Sequence, residues 1–156
     1  MSTDIDYENP WIYNGEIFNS DHIQDSFGFV YHIHCNTTGR DYIGRKYFWS
    51  FRKKKGASRK SKSESDWKNY YGSCPELKED VIKYGKDKFT RTILSLHKTV
   101  GKTNYEETRQ LFLNNVLTES LDDGTPRYYN SNILSRYFRK DYYEQNPIEK
   151  NVSSSS

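Results

Sequence analysis

A turn between two short alternating runs most constrains how this chain can fold. Residues 27–35 alternate between two faces in the manner of a strand. Residues 36–40 read Asn-Thr-Thr-Gly-Arg, a turn sequence whose glycine tolerates a positive φ. Residues 41–44 follow as the antiparallel partner. The pattern therefore predicts a hairpin that sets Tyr31 and Tyr42 side by side.

Positive charge is concentrated directly after this hairpin. The chain has a net charge of +3, but residues 1–27 hold six acidic side chains and no Lys or Arg. Residues 45–62 hold nine Lys or Arg and no acid, with aromatic residues interleaved. Such a segment is typical of a protein that binds a phosphate backbone. The candidate DNA-binding residues are Arg45, Lys46, Lys53, Lys54, Lys55, Arg59 and Lys60.

The sequence predicts three regions along the chain. Residues 1–26 form an acidic N-terminal arm, with aromatic side chains available to dock on the domain. Residues 27–140 form the main domain, with a basic insertion loop near residues 53–66 that we expect to be mobile without ligand. Residues 141–156 form a flexible tail. Nothing in the composition indicates a second domain.

Regular elements follow the hairpin within the main domain. Residues 75–84 predict a short helix with proline at its start and glycine after its end. Residues 89–96 predict a third strand, and residues 105–117 a second helix that buries Tyr105, Phe112 and Leu113. The expected fold class is α+β, a small three-stranded antiparallel sheet flanked by helices.

Composition also excludes several classes of protein. No stretch approaches the roughly 20 apolar residues of a membrane span, and the acidic N-terminus is unlike a signal peptide, so we expect a cytoplasmic protein. Cys35 and Cys74 are expected as reduced thiols. The four histidines lack the spacings of zinc modules, so no structural metal is expected.

Five features in order carry a resemblance to a known family. They are Tyr31, the Tyr42-Ile43-Gly44 motif, Arg52 eight residues after Gly44, a glutamate in the helix after the third strand, and Asn130 after Tyr129. Together they resemble the GIY-YIG nuclease superfamily over about residues 28–130. The first motif departs from the family pattern, because Gly28 lies one place further from the tyrosine than usual.

The resemblance implies a divalent-metal-dependent DNA endonuclease, similar to phage-encoded homing enzymes, that acts on double-stranded DNA in a host cytoplasm. It implies Mg²⁺ or Mn²⁺ held by Glu107, with Glu106 as the alternative ligand. A single carboxylate suits Mg²⁺, which completes its coordination with phosphate and water. A single small site cuts one strand per binding event, so double-strand breaks imply a homodimer or sequential nicking.

The resemblance also implies roles for the remaining residues. Arg52 would clamp the scissile phosphate, and Arg45 could share that work. Tyr31 would orient or deprotonate the attacking water, which requires a lowered pKa, and Tyr42 would assist by relay or by hydrogen bonding. Asn130 would tie the elements of the site together through its amide.

Two other function classes fit the same sequence. A non-catalytic nucleic-acid-binding module would keep the fold and the basic segment but would not depend on Glu107 or on Mg²⁺. An interaction protein could instead bind a partner through its acidic arm. That arm could also cover the basic groove as an autoinhibitor.

Overall fold

The computed structural model describes residues 7–53 and 55–143. Lys54 and residues 144–156, for which we predicted DNA contact and a flexible tail, lie outside the described residues. The strands are β1 (Ile12–Tyr13), β2 (Glu16–Ile17), β3 (Gly28–Cys35), β4 (Asp41–Tyr47), β5 (Trp49–Lys53), β6 (Lys60–Glu64), β7 (Phe89–His97), β8 (Asn132–Ile133) and β9 (Tyr137–Phe138). The helices are α1 (Pro75–Tyr84), α2 (Val100–Leu113) and α3 (Arg139–Tyr142).

The predicted hairpin forms the centre of the main sheet. Strands β3 and β4 pair antiparallel in a register that sets Tyr31 opposite Gly44 and Ile33 opposite Tyr42. Gly39 in the connecting turn has a φ of 85°, the conformation for which glycine was expected. Strand β7 pairs antiparallel with the other side of β3. The alternation in residues 27–35 was therefore interpreted correctly.

The prediction of a three-stranded sheet was wrong. The main sheet has five strands in the order β2-β1-β7-β3-β4, and β1 pairs parallel with β7. The two extra strands come from the segment predicted as an arm, where Asn14 and Gly15 both have positive φ and make a two-residue turn. Asn-Gly is the strongest short-range signal for such a hairpin, so the sequence contained this information.

The segment predicted as an arm also contributes to the core. Trp11 is completely buried, and its ring lies edge-on to Phe29 and Tyr31 with centroids 5.1 Å away in each case. The indole Nε1 donates a hydrogen bond of 2.7 Å to the carbonyl of Trp67. Deleting residues 1–26 would therefore open the core, and would not isolate an autoinhibitory effect.

The basic segment is also more regular than expected. Strands β5 and β6 pair as an antiparallel hairpin from Trp49 opposite Glu64 to Lys53 opposite Lys60. The prediction of an irregular loop across residues 53–66 was wrong for residues 60–64. Backbone pairing with the aromatic strand β5 outweighs the Ser/Lys-rich composition, and Lys62 Nζ lies 4.3 Å from the centre of the Trp49 ring.

Helix α2 starts earlier and buries a different face than expected. It begins at Val100, where the Thr99 hydroxyl caps the first turn by accepting from the Lys102 amide. Tyr105, Phe112 and Leu113 are exposed, because the helix docks with Thr103 and Leu111 toward the sheet. The helix also ends at Leu113, before the predicted end at residue 117. The predicted helix at residues 75–84 and the predicted third strand are confirmed.

The sheet separates two apolar clusters. One face holds an aromatic core around Trp11, Phe29, Tyr31 and Trp67, and α2 covers the other face over Val30 and Ile43. Strand β4 is the edge of the sheet, so side chains from both faces can meet around it. No helix within the described ranges is long and apolar enough to cross a membrane.

Candidate active site

A cavity at the outer edge of β4 brings together three of the five predicted catalytic residues, Tyr42, Glu107 and Asn130, with Arg45. It has a volume of about 530 Å³ and is lined by residues from both faces of the sheet. Tyr42 comes from β4 itself, Glu107 from α2, and Asn130 from the segment after the second helix. Residues distant in sequence therefore converge at β4, the edge strand of the main sheet.

The two motif tyrosines pack against a glycine, where Tyr42 lines the cavity and Tyr31 is buried. Tyr31 and Tyr42 have ring centroids 6.1 Å apart. A Cβ atom added at Gly44 would lie 2.5 Å from the Tyr31 hydroxyl and 3.0 Å from Tyr42 Cε2. Gly44 is therefore required because the Tyr31 side chain crosses directly over its Cα. This close approach explains the glycine of the second motif.

Both tyrosines are protonated in the free protein. Burial raises the pKa of Tyr31 well above its ordinary value, and Tyr42 and Tyr70 add to this effect. Burial also raises the pKa of Tyr42 to about 12, although a hydrogen bond with Ser73 acts in the opposite direction. Desolvation disfavours a charged phenolate. Removal of a proton from Tyr31 therefore needs nearby positive charge that lowers its pKa.

Glu107 contributes a carboxylate to the lining of the cavity. Its side chain is 18% exposed, and Arg45 Nη1 lies 3.3 Å from Glu107 Oε1. Burial raises the pKa of Glu107, whereas Arg45 acts to lower it. The ion pair is long and the guanidinium is 41% exposed, so Arg45 can turn toward a ligand. The largely buried Glu107 carboxylate would then need another cation as its partner.

The neighbouring Glu106, which the sequence left open as an alternative, has a different environment. Its carboxylate accepts hydrogen bonds from Arg109 at 2.8 Å and from Gln110 at 2.9 Å. The bond from Arg109 is the main reason that the pKa of Glu106 is lowered. Glu107 lines the cavity with Tyr42, and Glu106 is not among the residues that line it.

Asn130 joins the segment after the second helix to the second motif. Its Oδ1 accepts from the Ile43 amide at 3.1 Å, and its Nδ2 donates to the Ile43 carbonyl at 2.8 Å. These bonds continue the sheet pairing beyond β4, where the amide of Tyr129 also donates to the carbonyl of Asp41 at 2.8 Å. The side chain of Asn130 therefore satisfies the exposed backbone edge at the middle residue of the motif.

Arg52 and the rest of the basic segment lie beside the main cavity. Arg52 is exposed on β5 and lines a second cavity, together with Arg45, Lys46 and Tyr70. Arg45 lines both cavities and so connects them. Lys46 is held in place, with Nζ 2.6 Å from Asp66 and 4.1 Å from the centre of the Tyr70 ring. The remaining described candidates for DNA contact, all exposed, are Lys53, Lys55, Arg59 and Lys60.

Sequence reasoning missed three polar side chains around the tyrosines. The Tyr70 ring lies edge-on to the Tyr31 ring with centroids 6.0 Å apart, and Ser73 lines the cavity together with Tyr42. Tyr47 donates to Asn104 Oδ1 at 2.8 Å and accepts from Arg45 Nε at 3.2 Å. The signal for Tyr70 and Ser73 was Gly72 between them, which turns the chain with a φ of 86°. No sequence signal links Tyr47 to Asn104 across 57 residues.

The fold and the site together define a class of protein. An α+β domain with two tyrosines on paired strands, and with an arginine, a glutamate and an asparagine at the sheet edge, is the arrangement that the GIY-YIG resemblance implied. A family model described as "Putative endonuclease segE, GIY-YIG domain" matches residues 11–133. The chain belongs to this GIY-YIG endonuclease domain family.

The family match covers the N-terminal strands as well as the central hairpin. It begins at residue 11, and so it includes β1 and β2. No curated protein and no solved structure matches the chain significantly.

Proposed function

We propose that this protein is a divalent-metal-dependent DNA endonuclease whose site is the cavity at the edge of β4. The observation that carries this proposal is the convergence of Glu107, Arg45, Tyr42 and Asn130 in one cavity of a chain that belongs to a nuclease family. The hairpin of β5 and β6, called the basic hairpin from here on, lies next to the cavity. Its exposed positive side chains can contact a phosphate backbone.

The cavity fits a hard divalent cation such as Mg²⁺ or Mn²⁺. Glu107 offers one partly buried carboxylate, and the open cavity leaves space for water and phosphate oxygens. Mg²⁺ commonly takes only one or two protein carboxylates. When bound, such an ion stabilises negative charge on the phosphate oxygens and lowers the pKa of its bound water. It would also offset the burial that raises the pKa of Glu107.

The protein's own residues would position the phosphate and move protons. Arg45 would turn from Glu107 to the scissile phosphate, and the exposed Arg52 would hold a neighbouring phosphate on the same strand. Tyr31 and Tyr42 start as neutral phenols, so they can donate hydrogen bonds to phosphate oxygens or to the attacking water. Tyr31 would act as a base only where nearby positive charge offsets the burial that raises its pKa.

Sequence preference is expected to be modest. The described positive residues of the hairpin are suited to phosphate contacts, which position a protein on DNA but do not read its sequence. One protomer has one such cavity among the described residues, so each binding event would nick a single strand. Double-strand breaks would then require two protomers or two successive events.

The test is cleavage of supercoiled plasmid with Mg²⁺ or with EDTA, using Glu107→Gln beside Glu106→Gln as a matched control. The two glutamates are adjacent and similarly exposed, at 18% and 16% of their side chains. We expect Mg²⁺-dependent nicking that falls at least 100-fold in Glu107→Gln and less than threefold in Glu106→Gln. Equal activity of both variants would contradict the assignment of Glu107.

Two arginine variants test which side chain holds the scissile phosphate. Arg45→Ala should reduce nicking more than Arg52→Ala, because Arg45 lines the cavity that contains Glu107. If the wild-type protein binds DNA in a salt-sensitive way but never cuts it, the non-catalytic binding module becomes the better interpretation. Circular dichroism of each variant excludes unfolding as the cause of lost activity.

A further inference from the structure

Two histidines and an aspartate converge on the face of the sheet opposite the Tyr31 side chain. His32 and His34 are two residues apart on β3, so both point to the face covered by α2. The strand register sets Asp41 of β4 directly opposite His34. This cluster has no part in the proposed cleavage site, and the sequence did not reveal it.

The three side chains approach one another through potential metal-ligand atoms. His32 Nε2 and His34 Nδ1 each lie 2.7 Å from the same oxygen, Asp41 Oδ1. All three ligand atoms lie within 4.8 Å of one another. A tetrahedral ion with bonds of about 2.0–2.1 Å needs ligand atoms about 3.3 Å apart. Opening the two contacts to Asp41 by about 0.6 Å each would give this spacing between the carboxylate oxygen and each histidine nitrogen.

The Asp41 carboxylate is fixed by neighbouring groups, whereas both histidine side chains are partly exposed to solvent. Asp41 is 1% exposed, and its second oxygen accepts a hydrogen bond of 2.9 Å from Arg127 Nε. Its backbone is fixed between Arg127 and Tyr129 by two further bonds of 2.8 Å. The His32 and His34 side chains remain 31% and 37% exposed. The rings can therefore adjust, and water can complete the coordination of a metal.

We propose that His32, His34 and Asp41 form a binding site for a borderline transition-metal dication, for which Zn²⁺ is the natural probe. Two imidazoles and one carboxylate suit Zn²⁺ and its neighbours in the first transition row, whereas Mg²⁺ and Ca²⁺ prefer all-oxygen sites. Arg127 orients Asp41 from the second oxygen, as outer-shell groups commonly do in such sites.

A metal here would act on the stability of the fold. It would link β3 to β4, and through the backbone of Asp41 it would hold the segment that leads to Asn130. The site has its own ligands and its own face of the sheet, so this inference does not depend on nuclease activity.

The binding test uses untagged protein, stripped with EDTA and exchanged into a non-chelating buffer, with Zn²⁺ titrated by isothermal calorimetry. The variants are His34→Gln and, as a control, the exposed His22→Gln. Glu107→Gln reports any Zn²⁺ binding in the cleavage cavity. We expect one tightly bound equivalent in the wild type, with an affinity lowered at least tenfold in His34→Gln and unchanged in His22→Gln. Any weaker second equivalent that disappears in Glu107→Gln belongs to the cleavage cavity.

A thermal assay adds a second readout. Zn²⁺ at a hundredfold excess over Kd should raise the wild-type Tm by about 5–10 °C and leave His34→Gln unchanged. Absence of saturable binding, or equal binding by His34→Gln, would overturn the proposal.

Nitrogen NMR of the wild-type protein locates the metal without relying on a variant that could fail to fold. Coordination should shift the ¹⁵N resonance of Nε2 in His32 but of Nδ1 in His34, because different ring atoms face Asp41 Oδ1. Shifts confined to His22 or His97, or no shift in any histidine, would also overturn the proposal.

Discussion

Replacing Gly44 by alanine tests the packing that places the motif tyrosines. The new Cβ would lie 2.5 Å from the Tyr31 hydroxyl oxygen and 2.8 Å from its Cζ, whereas ordinary contacts begin at 3.4 Å. The Tyr31 ring would have to move by about 0.9 Å. Trp11 and Tyr70 limit that movement, with ring centroids 5.1 and 6.0 Å from Tyr31.

The expected cost follows from overpacking in a buried site. Such changes typically cost about 1–3 kcal/mol, so we expect Gly44→Ala to lower the free energy of unfolding by about 2 kcal/mol. For a chain of this size that corresponds to a fall in Tm of about 4–8 °C. Urea unfolding followed by tryptophan fluorescence measures the free energy, since Trp11 contacts Tyr31 directly.

A double-mutant cycle measures how much of the cost of Gly44→Ala comes from the clash with the Tyr31 hydroxyl. Tyr31→Phe alone should change the free energy of unfolding by about 1 kcal/mol, the usual scale for removal of one buried hydroxyl. Combined with Gly44→Ala, it should recover at least about 1 kcal/mol relative to the sum of the single changes. The control is Gly101→Ala, a helical position with no atom within 4 Å of the new Cβ, which should be neutral or stabilising. Additive costs, or a Gly44→Ala variant as stable as Gly101→Ala, would refute this reasoning.

Three further changes test other parts of the structure. Asn130→Ala should lower the free energy of unfolding by about 2–4 kcal/mol, because two backbone groups of Ile43 lose their partner, and chemical denaturation measures the loss. Replacing Arg59 and Lys60 together by glutamine should reduce the slope of log affinity against log salt for duplex DNA by about 2, as measured by fluorescence anisotropy. Burial lowers the pKa of His97 below its ordinary value, so its NMR titration should fall below that of a free imidazole. The unfolded chain therefore binds this proton more readily than the folded protein does. The contribution of His97 to the free energy of unfolding is fully present above pH 6.5 and is lost as the pH falls through the folded pKa of His97.

Each of these predictions has a control within the chain. Asn132→Ala removes an exposed side-chain bond to Ser135 in the same segment and should cost less than about 1 kcal/mol. Lys78 and Lys83 on α1, replaced together by glutamine, should leave the salt slope unchanged if the basic hairpin contacts the DNA. A His97→Gln variant should lose the acid-side decrease in stability. A decrease of the same size in that variant would assign it to another group.

Local patterns predicted much of the fold. Alternation in residues 27–35 and the following turn gave the β3–β4 hairpin, and proline and glycine at its two ends marked helix α1. The Asn14-Gly15 turn was equally readable, but the two strands that it joins are only two residues each. Helix α2 was predicted to begin at residue 105 but begins at Val100, where the Thr99 hydroxyl caps its first turn.

The sequence by itself determined the motif residues, the faces of the central strands and the concentration of positive charge after the hairpin, because these depend on residue type and on periods of two or 3.6. Only the tertiary structure decided that Glu107 and not Glu106 lines the cavity, and that Asp41 meets two histidines. Periodicity tells which way a side chain points from its own element. The distance between atoms on different elements depends on strand register, on where a helix starts and on how it docks, and these are decided by packing across the whole domain.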